Sequence, residues 1–162
     1  MKKLNYLFSV LICFVLAIVP ACDLGDEPPI GGTLLEKMSG EWWVKIYLQG
    51  DEVLGYTLLS TYNTSSNNEV DLFVDDHEVW PCKVTSKANL RDNSFSGSNL
   101  KNYYSEDILV NILEGKIIPG VATTTGGNVS DSLYIRFKFS DDPDHEYIYA
   151  GYKRTGFLED EH

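Results

Sequence analysis

The chain has 162 residues and carries 24 Asp and Glu against 13 Lys and Arg, a formal charge of −11. That length accommodates one domain with a genuine core. So acidic a balance excludes nucleic acid as a partner, and it excludes docking on anionic headgroups by charge alone.

The first segment stands apart from that domain. Lys2 and Lys3 precede an apolar run from Leu7 to Val19, which is short for a membrane span and sits where a secretory signal belongs. Val19-Pro20-Ala21-Cys22 then resembles a bacterial lipobox, with Cys22 as the lipidated residue; ordinary signal cleavage or an uncleaved anchor are the alternatives. The expected organisation is a signal peptide over 1–21, a flexible tether over 22–33, a β-barrel domain over 34–158 and a tail over 159–162. The tether is polar, rich in Pro and Gly and without periodicity. Its acidic residues after Cys22 resemble the export signal of lipoproteins displayed on the outer face of the outer membrane. Acyl chains on Cys22 would do the attaching, since each buried methylene contributes about 0.8 kcal/mol. Cys82 is then the one thiol left; it reads as a small buried hydrophobe and forms no internal disulfide.

From Thr33 to Met38 the spacing predicts one helical turn, and from Glu41 onward Gly, Asn, Asp and Ser clusters punctuate strand-like runs. The first strand, 41–49, puts Trp42, Val44, Ile46 and Leu48 on one face and Trp43, Lys45 and Tyr47 on the other. The second, 54–63, aligns Leu54, Tyr56, Leu58 and Ser60, and the third, 69–75, aligns Val70, Leu72 and Val74. The fourth, 79–88, carries Trp80, Cys82, Val84 and Ser86, with Pro81 marking an edge or bulge. A weaker strand follows near 93–97, and Ile108 to Leu113 gives the sixth. The seventh, 132–140, alternates Leu133, Ile135, Phe137 and Phe139 against Tyr134, Arg136 and Lys138. Asp141 to His145 turns the chain into the last strand, 146–154. Many short strands without a helical period predict an all-β, up-and-down antiparallel barrel of about eight strands. The stretch 114–131 leaves room for a ninth or tenth.

Gly40-Glu41-Trp42 at the first strand, with Arg154 ending the last, resembles the lipocalin and wider calycin pattern. In that pattern the Arg packs across the Trp at the closed end of the barrel. With the lipobox and tether, Leu35-x-Lys37-Met38-Ser39-Gly40-Glu41-Trp42-Trp43-Val44, Gly115-Lys116-Ile117-Ile118-Pro119-Gly120 and Gly151-x-Lys153-Arg154-Thr155-Gly156-Phe157 make the chain from Leu34 to Phe157 resemble more closely a family of calycin-like bacterial lipoproteins labelled "lipid-binding putative hydrolase". The label implies an apolar ligand and maps no catalytic residues onto this sequence. On the barrel reading, Tyr56 and Leu58, Leu72 and Val74, Trp80 and Val84, Ile135 and Phe137, and Ile148 and Tyr152 would line the interior. Such a lining either fills the barrel or leaves room for one small ligand.

The same topology sends His77 and His145, with Asp75, Asp76, Asp141, Asp142 and Asp144, to one open rim. Those groups have the chemistry of a Zn²⁺ or Ca²⁺ site or, more simply, of wet turns. Ser60 and Ser86 read as small barrel-lining residues; no Gly-x-Ser-x-Gly elbow is present, and Gly126-Gly127-Asn128 is a loop with no helix after it. The expected protein is a monomer without cofactor or metal, bound to the membrane through acyl chains and taking a lipid or fatty acyl chain. A glycan-binding or assembly module with a filled core, stacking through Trp43, Tyr47 and Tyr134, is the competing reading, and a hydrolase is a third.

Overall fold

A computed structural model describes residues 31–162. The expected signal peptide and lipobox, and most of the expected tether, lie outside the described residues. Eight strands run β1 Gly40–Leu48, β2 Asp51–Asn63, β3 Asp71–Asp75, β4 Lys83–Asn89, β5 Ser94–Lys101, β6 Leu109–Thr123, β7 Val129–Phe139 and β8 Asp142–Lys153. Each pairs antiparallel with its neighbour in the chain, and β8 returns to β1 to close the barrel. The stretch 114–131 adds no strand. Residues up to Thr123 continue β6 past register shifts after Ile112 and Ile118, and 124–128 turn into β7.

The interior is filled. Trp42, Val44, Ile46, Leu59, Leu72, Val74, Val84, Ile117, Leu133, Ile135, Phe137 and Tyr149 each expose at most 1% of their surface. A void able to hold water would leave accessible area on its walls, so these side chains meet one another. Leu35 and Met38 close the lower end, carried by a single 3-10 turn at Glu36–Met38. Thr61 ties that plug to the wall: its hydroxyl accepts from Trp42 Nε1 at 2.9 Å and donates to the Met38 carbonyl at 2.6 Å.

The expected cation on Trp42 is a different residue. Trp42 lies opposite Lys153 across the β1–β8 ladder, and Lys153 Nζ sits 5.7 Å from the indole centroid. One residue further along, Arg154 falls on the outer side, 5.9 Å from the Trp43 ring. There it is bound by Glu41 at 2.7 Å and by Glu161. The barrel therefore closes through backbone pairing and the Trp42–Thr61–Met38 plug, without an Arg154–Trp42 contact.

Two strands also face the other way from the expected reading. Trp42 pairs with Leu59 and Val44 with Thr57, so Leu59 and Thr61 point inward while Tyr56, Leu58 and Ser60 point outward. On β8, Ile46 pairs with Tyr149 and Leu48 with Tyr147, which places Ile148 and Tyr152 on the outer wall. The cause is that both faces of these strands are apolar. Outer-wall Tyr152 is buried because the C-terminal tail covers it: His162 Nε2 lies 2.6 Å from the Tyr152 hydroxyl, and its ring stacks on Tyr56 at 3.8 Å. Asp160 fastens the tail to the 124–128 turn, accepting from the Gly126 amide at 2.8 Å, Asn128 Nδ2 at 3.0 Å and the Thr155 hydroxyl at 2.6 Å. The loop that resembles no phosphate cradle thus holds a carboxylate of its own chain.

Candidate functional site at the barrel mouth

Alternating strand direction brings four connections to the upper end: 49–50, 76–82, 102–108 and 140–141. Three of them build a cleft of about 320 Å³, lined by Trp80, Pro81, Tyr104, Ser105, Ile108, Asp141 and Phe139 at the end of β7. Trp80 is 43% exposed and rests against Tyr147, with ring centroids 5.2 Å apart. The fourth strand begins at Lys83 rather than 79, which leaves Trp80 on a rim loop instead of inside the barrel. Pro81 lacks an N–H for a ladder. The amides of Glu78, Trp80 and Cys82 turn instead to the carboxylate of Asp76, at 3.1, 3.0 and 2.9 Å.

Asp76 is thus the organiser of the rim loop. Its burial pushes its carboxyl up to about 6 against the pull of those amides, with the neighbouring charge of Asp75 adding to the rise. His77 and Glu78 follow it with φ of 56° and 65°, a left-handed pair without glycine, and such backbone persists where surrounding bonds over-determine it. Asn102 staples the second loop to the first: its Nδ2 donates to the Pro81 carbonyl at 2.7 Å, and its Oδ1 accepts from the Lys83 and Tyr104 amides.

Asp75, on the outer wall, gathers four donors: the hydroxyls of Tyr104 at 2.6 Å and Tyr62 at 2.7 Å, Lys83 Nζ at 3.0 Å and the His77 amide at 3.1 Å. Burial works to raise its pKa, but these bonds outweigh burial and hold it at about 2. Nothing in the sequence marks Asp75 or Asn102 as hubs, because their partners lie up to 29 positions away.

The two carboxylates have opposite pH consequences. A depressed pKa gives stability that is present above the unfolded value of about 3.9 and is lost as pH falls towards 2. Asp75 contributes on the order of 1–2 kcal/mol in this way. A raised pKa works in reverse: Asp76 favours the fold while protonated and withdraws about 1–3 kcal/mol as pH climbs from about 4 through 6. The urea midpoint should therefore drop from pH 5 to pH 7, by the equivalent of about 1 kcal/mol. A midpoint that rises steadily to pH 7 contradicts the burial of a strained carboxyl at Asp76.

Of the residues expected to line a pocket, Leu72, Val74, Val84, Ile135 and Phe137 are in the packed interior, Trp80 is on the rim, and Tyr56, Leu58, Ile148 and Tyr152 are outside. Both histidines reach the upper end but take separate partners. His145 Nδ1 is 2.7 Å from Asp142 Oδ1, and His77 Nε2 is 2.8 Å from Ser60 Oγ. Among the described residues no three metal-ligating side chains come together. Of the expected stacking platform, Trp43 is covered by the tail, His162 meeting its ring edge-on at 5.5 Å, while Tyr47 and Tyr134 are half-buried. Ser86 is inward and donates to the Leu72 carbonyl.

The family described as "Lipid-binding putative hydrolase" matches residues 27–158, a span that includes all eight strands of the barrel. No curated protein matches the chain.

Proposed function

Because the chain belongs to the lipid-binding putative hydrolase family, we propose that it is an acylated, monomeric lipoprotein of the outer membrane, displayed at the cell surface, that holds a small apolar ligand at the mouth of its barrel. A lipid or fatty acyl chain is the ligand that fits the family and the lining. The observation that carries the location is the Trp80 cleft. It offers exposed indole, Ile108 and Phe139 surface at a concave site, whereas the barrel axis is occupied by side chains. Burying one such aromatic against an acyl chain is worth about 1.5–3 kcal/mol. The anchor rests on Val19-Pro20-Ala21-Cys22 and the outer-face location on the acidic tether.

Native mass spectrometry tests both parts. Protein recovered from membranes should carry acyl mass on its Cys22 peptide, and protein without the anchor should take up one fatty acyl ligand per chain. Unmodified Cys22 removes the anchor; a chain that takes up no lipid of any length removes the ligand.

The contact between Ser60 and His77 supports a second reading, ester hydrolysis, with Ser60 as nucleophile and His77 as base. Asp75 holds the backbone amide of His77 and not its ring, so the orienting partner of a triad is missing. A fluorophosphonate probe distinguishes the cases. Covalent labelling of Ser60 that disappears in His77→Ala establishes an activated serine, and an unlabelled protein leaves the contact as a structural hydrogen bond.

A further inference from the structure

Among the described residues, three buried side-chain polar atoms lack a hydrogen-bond partner: Trp43 Nε1, Arg136 Nε and the Tyr149 hydroxyl. The first lies beneath the C-terminal tail, and the second is 3.6 Å from Glu146. Tyr149 is different. It points into the barrel between Ile46 and Ile135 and exposes none of its surface. A buried hydroxyl without a partner is costly, and most folded proteins avoid it.

A chain of ring contacts runs from that phenol to the cleft. Tyr149 meets Phe137 at 4.8 Å, Phe137 meets Phe139 at 5.9 Å, Phe139 meets Tyr147 at 5.6 Å, and Tyr147 meets exposed Trp80 at 5.2 Å. For a ligand to reach that phenol from the cleft, Trp80 on the loop held by Asp76 and Tyr147, whose hydroxyl donates to Asp142 at 2.6 Å, would both have to move aside. Asp76 is the acidic group close enough to act on Tyr149; the Cys82 thiol and the Tyr147 phenol beside it are neutral near pH 7. Asp76 is itself buried.

We propose that the Tyr149 hydroxyl is the donor of an acyl-ester site beneath the rim, taking the ligand's carbonyl while its chain lies in the Trp80 cleft, and that the neighbouring Asp76 carboxylate turns away free fatty acids. A phenol O–H needs an acceptor, which a hydrocarbon chain lacks and an ester carbonyl supplies. A carboxylate also accepts, but it brings a second negative charge beside Asp76, in surroundings that screen poorly. This inference rests on the lipid-binding reading and narrows it to neutral, esterified ligands.

The test compares monodecanoylglycerol with decanoate, each below its micelle concentration at pH 7.5, by titration calorimetry on the wild type and Tyr149→Phe. The ester should bind at least tenfold more tightly than the acid. In Tyr149→Phe that preference should shrink at least fivefold through weaker ester binding, with decanoate unchanged and a melting temperature no lower than the wild type's. Equal affinity for the two ligands, an unchanged ester affinity in Tyr149→Phe, or a marked loss of stability in that variant overturns the assignment and leaves lipid binding at the rim standing. Binding of neither ligand overturns both.

Discussion

Replacing Trp80 by Asp should lower the affinity for an acyl ligand at least about tenfold while leaving the fold intact. The indole is the most exposed aromatic of the cleft lining and contributes little to the core, being 43% exposed on a loop. Substitution there removes apolar contact area and adds a carboxylate to a rim that already holds Asp76, Asp141 and Asp142. Thermal stability should change by less than about 1 kcal/mol, the range of a surface substitution away from buried groups. Trp80→Phe, which keeps a ring against Tyr147, should retain most of the binding. Fluorescence titration with a fatty acyl ligand reads all three proteins. Wild-type affinity in Trp80→Asp places the ligand somewhere other than the mouth.

Gly151→Ala should be among the most damaging single-methyl changes in the barrel, costing about 3 kcal/mol or more. Gly151 lies opposite Val44 on the seam where β8 closes onto β1. A Cβ there would run into the Trp43 carbonyl and crowd the Val44 Cα, which are backbone atoms with no rotamer to escape into. The seam has to spread to admit it, and spreading loosens the pairing that closes the barrel. A fall in melting temperature on the order of 10 °C is expected for a domain of this size. Gly55→Ala is the control. Nothing lies closer than 4.0 Å to a Cβ at that exposed site, so its effect should stay within about 0.5 kcal/mol. Equal stability of the two variants contradicts the close approach of β1 and β8.

Strand pattern was legible wherever one face of a strand is apolar and the other polar. β7 alternates Leu133, Ile135, Phe137 and Phe139 with Tyr134, Arg136 and Lys138, and its inward set is the one the pattern predicts. β1 behaves likewise, with Trp42, Val44 and Ile46 inside. The pattern misleads on β2 and β8, where Leu58 adjoins Leu59 and Ile148 sits between Tyr147 and Tyr149. Either parity buries apolar surface there, so the choice falls to register across the sheet. Register in turn fixed which cation lies over Trp42: a one-residue step separates Lys153 from Arg154 and sends them to opposite faces.

By itself the sequence determined an acidic, all-β chain of about eight strands in simple succession, with 114–131 left open, and that succession gathers the four upper turns at one end. These features depend on local alternation and on turn residues, which are properties of neighbouring positions. Tertiary structure alone decided that the cylinder is packed solid, that Trp80 hangs outside it, and that Asp75, Asp76 and Asn102 knit the rim. Each of those outcomes depends on volumes and hydrogen-bond partners that meet only when distant segments close around one another. The lone hydroxyl of Tyr149 belongs with them, since a missing partner becomes visible only once every neighbour is in place.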